Sequence, residues 1–122
     1  MFSYGTYKVL HYFGIMLLFV AFGARISHAL AGGEKGAHPT HRLVAISHGV
    51  ALTIIFVAGF GMHAKLGVDG FPGWFLAKVA LWLVIGGLFV LPYRSEASGK
   101  PLWFALPILG ALAGWLALTK PF

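Results

Sequence analysis

Four apolar runs, separated by three short polar interruptions, constrain this chain more than any other feature. The runs cover about residues 7–29, 41–66, 72–91 and 101–118. Each is long enough to cross a hydrocarbon core of about 30 Å at 1.5 Å per helical residue. A segment inside hydrocarbon must satisfy its own backbone N–H and C=O groups, which a single run achieves only as a helix. The predicted fold is therefore all-α: an integral membrane bundle of four transmembrane helices joined by short loops, forming one domain over residues 1–122. Composition agrees, with 59% hydrophobic and 10% charged residues and a mean hydropathy of +0.86, far from a soluble domain.

The same numbers exclude several functions. Cysteine is absent, which removes disulfides, iron–sulfur clusters and thiolate-held metals. The net charge is +6, but the basic residues are scattered through every polar segment, so no nucleic-acid partner is expected. Anionic headgroups of the lipid bilayer account for that charge. The first run lacks a small-residue cleavage site, with Phe22, Arg25 and His28 standing where one would fall, and reads as a retained span. Loops such as "AGGEKGAHPTH" and "LGVDGFPGW" are too short to fold alone and suit connections between antiparallel helices. Arg25, Lys35, Arg42, Arg94 and Lys100 fall beside the first and third loops, against Lys8, Lys65, Lys78 and Lys120 on the other side. That bias, with every arginine on one side, predicts both termini outside the cytoplasm of a bacterial cytoplasmic (inner) membrane.

Polar residues inside apolar runs are the candidate site. Measured from the middle of each run, His11 and His63 lie about 10 and 12 Å from the midplane on the terminal side. His48 and His28 lie about 10 and 15 Å on the other. Histidines on facing helices are how bundles hold a b-type haem, and His11 with His63 is the pair matched in depth. Angular spacing opposes a second such pair, because His11 and His28 diverge by about 100° around their helix. The plainer reading makes buried histidines such as His11 and His48 interhelical hydrogen-bonding groups, and leaves His28, His38 and His41 at the loop. Arg25 either snorkels to the headgroups or meets an anionic or carbonyl group of a haem or quinone. Lys78, in "GWFLAKVALW", sits about one turn inside the third run and also suits snorkelling. All three carboxylates, Glu34, Asp69 and Glu96, fall in loops, which counts against a carboxylate-based pump.

Small residues, Gly110-x3-Gly114 above all, with Gly86, Gly87, Gly59 and Gly61, read as helix-packing devices and favour a tight bundle, a homo-oligomer or a larger membrane complex. His11 precedes "FVAFG" and His48 precedes "FVAGFG" by the same eight residues. In consecutive antiparallel spans this is either an inverted repeat or a coincidence of apolar composition.

Taken together, "LHYFGIMLLFVAFGAR", "ISHGVALTIIFVAGFGM" and "WFLAKVALWLVIGGLFVLPYR" resemble the SirB-type small integral membrane proteins. His11, Arg25, His48, Trp74 and Lys78 carry the resemblance. Ser47 stands where that family tends to have Pro, and Ala51 where it tends to have Asp. The resemblance implies a four-helix membrane protein without a catalytic assignment. A looser similarity runs to membrane domains of copper-resistance proteins and b-type cytochromes. Three functions follow as expectations: a non-catalytic helper or subunit of a membrane complex; a redox protein holding b haem or quinone through His11, His63, His48 and Arg25; and a small transporter.

Overall fold

The computed structural model describes residues 2–37 and 39–122, and among these residues every regular element is helical. Helix α1 spans Tyr4–Leu30, α2 His41–Leu66, α3 Gly73–Leu88, α4 Leu91–Arg94 and α5 Gly99–Thr119, with a 3₁₀ turn at Glu96–Ser98 between the last two. Ser3 starts α1 by accepting the Thr6 backbone N–H on its Oγ at 3.2 Å, an ordinary N-cap. Gly67 ends α2 in the left-handed region at φ 69°, a conformation that costs glycine little.

Helices α1, α2 and α5 are long and apolar enough to cross a membrane. The third run departs from its expected extent of 72–91. Its helix α3 has 16 residues, about 24 Å at 1.5 Å per residue, short of a full hydrocarbon thickness. Pro92 explains the stop: it lacks an N–H and its ring crowds the carbonyl four residues earlier, that of Leu88. The chain turns at Phe89 and Val90 and resumes as α4, with Pro92 inside its first turn, where proline is tolerated. The first and last helices run longer than the expected 7–29 and 101–118.

The principal pairing is the antiparallel α1–α2 hairpin; α3 pairs with α5, α1 also meets α5, and α2 touches α3 only narrowly. Gly14 makes the hairpin close. A Cβ at that position would lie 2.9 Å from the Ile55 side chain and 3.2 Å from the Ala51 carbonyl oxygen. Ala51 is itself fully buried. Ala51 thus stands at a tight crossing with no room for a larger side chain.

The core lies toward the end of the bundle bearing the residue 31–40 loop. Leu18, Phe22 and Ile26 of α1 pack there against Ala51, Ile85 and Leu106. Phe22 meets Phe89 edge to face, centroids 5.1 Å apart. The opposite end, which bears both termini and the 67–72 loop and is called the terminal end below, is not filled in this way.

Because membrane helices associate through close packing, Gly14→Leu should destabilise the detergent-solubilised protein by about 1–3 kcal/mol, the usual cost of overpacking. Gly23→Leu should be silent, since nothing lies within 4 Å of a Cβ at Gly23. Thermal melts in one detergent check this; equal midpoints for the two variants would refute the crossing's role.

Candidate functional site

The terminal end holds a cavity of about 390 Å³ reached by all four long helices, within the usual range for a small-molecule site, about 300–1,000 Å³. Its floor is Ile85, which belongs to the packed core. Its walls are mostly aromatic and aliphatic, including Phe56, Phe60, Trp74 and Trp82. On α5 the wall includes Gly110, Ala113, Gly114 and Ala117, small residues at helical spacing on one face, with Leu118 next to them. Gly110 lies against the Phe19 ring, whereas nothing stands within 4 Å of a Cβ at Gly114. The Gly110-x3-Gly114 pattern, read from sequence as a device for close helix approach, therefore leaves space at its second glycine.

His11 lines this cavity, and its Nδ1–H donates to the Ile55 carbonyl oxygen at 3.1 Å. A carbonyl can only accept, so this bond fixes the tautomer: Nδ1 carries the proton and Nε2 keeps its lone pair. The ring sits beside Gly59, where a Cβ would lie 3.5 Å from its Cε1. Lys78 lines the cavity as well, half-buried and within electrostatic reach of both His11 and Lys120. Lys8 and Lys120 stand at the mouth. Lys8 lies over Tyr4 and Tyr12, and Lys120 donates from Nζ to the Ala117 carbonyl oxygen at 2.7 Å.

His63 reaches the same cavity, so the depth-matched pair from the sequence shares one chamber. Its surroundings differ from those of His11. Its Nε2–H donates to the Gly70 carbonyl oxygen at 2.7 Å, which pins the 67–72 loop. Phe71 stacks on the ring and Phe75 packs 4.3 Å from it, centroid to centroid. Its Nδ1 is buried with no hydrogen-bond partner. The accessible ring nitrogen of the pair is His11 Nε2.

His48 and Arg25 lie elsewhere, near the opposite end. His48 donates from Nε2 to the Gly86 carbonyl oxygen at 3.2 Å and stacks on Phe89 at 3.8 Å, the planes 9° apart. Arg25 is only 5% exposed, against the expectation that it snorkels outward. Its guanidinium carbon lies 4.1 Å from the Phe89 ring centroid and 4.8 Å from that of Tyr93. His28 Nδ1 and the Tyr93 hydroxyl are 2.7 Å apart beside it. Arg25, His28, His41 and Tyr93 enclose a void of about 10 Å³, roughly one water. His38 lies outside the described residues. No group of three or more metal-ligating side chains comes together among the described residues.

Three cavity-lining positions are not among the site residues read from sequence: Lys8 and Lys120, read there only as flanking charges, and Trp82, whose Nε1–H donates to the Leu52 carbonyl oxygen at 3.0 Å and ties α3 to α2. Their signal was present, since Lys8, His11 and Tyr12 fall at helical spacing on one face, as do Lys78 and Trp82.

No family model, no curated protein and no solved structure matches the chain.

His48 separates hydrogen bonding from stacking. His48→Phe keeps an aromatic ring against Phe89 and loses the bond to Gly86, which in membranes averages about 0.6 kcal/mol. His48→Ala loses both, and aromatic pairing adds about 0.5–1.5 kcal/mol. The alanine variant should therefore melt lower than the phenylalanine variant in detergent; the reverse order would show that the stack contributes nothing.

Proposed function

We propose that the chain is a small non-catalytic membrane protein, a SirB-like helper or complex subunit, that holds an amphipathic small molecule in its terminal-end cavity. In this reading all four long helices span a bacterial cytoplasmic membrane, the broken α3–α4 pair serving as the third span, and both termini lie outside the cytoplasm. The observation that carries the reading is the cavity: a ligand-sized chamber with mostly apolar walls and a few polar groups, His11, His63 and the three lysines Lys8, Lys78 and Lys120 among them. Such a combination, mostly apolar with a few placed polar groups, is the usual make-up of a small-molecule site. The large apolar side chains on the outside, Met16, Val20, Phe104 and Leu118 among them, suit acyl chains or a neighbouring subunit in a complex or homo-oligomer.

Native mass spectrometry of protein purified in mild detergent tests the reading. The wild type should carry a small-molecule adduct, and Gly114→Phe, which points a ring into the open space beside Gly114, should lose it while keeping its helical circular dichroism. An adduct-free wild type, or an adduct undiminished in the filled variant, overturns the proposal.

A second reading, a membrane redox protein with b haem, is favoured by the His11 tautomer. An Nδ1–H bound to a backbone carbonyl with Nε2 left open is the arrangement metal-ligating histidines use. In that case the dithionite-reduced spectrum should show a sharp haem band that His11→Ala abolishes. A flat spectrum after haem supplementation removes this reading and leaves the first.

A further inference from the structure

We infer that the cavity selects a single-chain amphiphile with an anionic headgroup, the headgroup held by Lys78 and the chain running inward along α5. This inference rests on the reading of the cavity as a ligand site and adds the charge and shape of what enters.

The charge argument starts from Lys78. Among the described residues it has no hydrogen-bond or ion-pair partner; the charge that acts on it is that of Lys120, and the neutral His11 ring lies within its reach. Lys8 and Lys120 border the same chamber, so three lysines and no carboxylate line it. Of the acidic groups, Asp69 and the carboxylate of Phe122, beside Gly73, lie on this end without lining the cavity, and Glu34 and Glu96 lie at the other end. An ammonium group within an apolar chamber is costly unless an opposite charge meets it. Among the described residues no acid lines the chamber, so the complementary charge comes with the ligand.

Shape gives the rest. From Lys78 to Ile85 at the floor is seven residues of α3, about 10 Å along the helix. Over the same depth α5 presents Gly110, Ala113, Gly114 and Ala117, a strip of small residues that Leu118 borders at its outer end. Trp82 stands deep on the facing wall. One extended chain of about eight methylenes matches the length of such a slot. Its head would lie level with Lys78 and its end near Trp82.

Bromine quenching of tryptophan reads this directly. In a Trp103→Phe, Trp115→Phe background only Trp74 and Trp82 remain, and both line the cavity. The detergent-solubilised protein is titrated with 8-bromooctanoate, 8-bromooctyl phosphate and 8-bromooctanol, which share a chain and differ in headgroup. Saturable quenching is expected with both anions at concentrations about tenfold below those the alcohol requires. Lys78→Gln should erase that difference, and Lys78→Arg should preserve it. Preference for one anion over the other assigns the headgroup as carboxylate or phosphate within the proposal. Equal saturable quenching by all three, abolished by Gly114→Phe, overturns the anionic headgroup while the cavity stands as a ligand site. Absence of saturable quenching by any probe overturns both readings.

Discussion

The close approach of α1 and α2 at Gly14 is the contact on which the remaining arrangement depends. In hydrocarbon the lipid is as apolar as the helices, so burial alone does not hold them together; close packing and interhelical hydrogen bonds do. Glycine at position 14 lets one backbone lie against Ala51, and the buried ridge of Leu18, Phe22 and Ile26 continues the contact toward the closed end. From this hairpin α2 offers two of its own carbonyls, Leu52 to the Trp82 indole and Ile55 to His11. Side-chain donors thus attach to helical carbonyls that have a lone pair to spare. In a medium without water, that gives buried N–H groups partners at no cost in backbone pairing.

The bundle is consequently asymmetric along its length. At the end bearing the residue 31–40 loop, Phe22, Phe89, His48 and Arg25 fill the interior with stacked and edge-on rings. At the other end the narrow α2–α3 contact and the small-residue face of α5 leave the interior open. The same residue class acts oppositely at the two places. Gly14 closes a gap because a partner backbone lies opposite; Gly114 opens one because nothing does.

Much of this was legible in the residues. Hydropathy marked out the helices because in a membrane the length of an apolar run and the length of the element coincide. It failed at the third helix, where Pro92 breaks the hydrogen-bond ladder inside a run that stays apolar through Leu91. Depth arithmetic brought His11 and His63 into one layer, and they do line one cavity, since rise per residue is a property of the helix alone. Which nitrogen is engaged was illegible, because that depends on a carbonyl 44 residues away in sequence for His11 and a loop carbonyl for His63. Arg25 was misjudged for a related reason. Its distance from the midplane favours snorkelling, but the choice between water and the rings of Phe89 and Tyr93 is made by tertiary packing.

The two cations inside the bundle meet opposite surroundings. Arg25 is planar and weakly hydrated, and it lies against two aromatic rings whose negative faces partly compensate its charge; the space around it holds about one water. Its end of the bundle is sterically full, and its Nε is buried without a hydrogen-bond partner among the described residues. Lys78 is a compact, strongly hydrated ammonium on a flexible stem, bordered by other cations and facing a chamber of hundreds of cubic ångströms. Helix stability does not require a lysine there, since the surrounding positions of α3 are apolar and pack without it. Lys78 thus stands beside a space that the fold does not fill, whereas Arg25 lies where the fold leaves almost none.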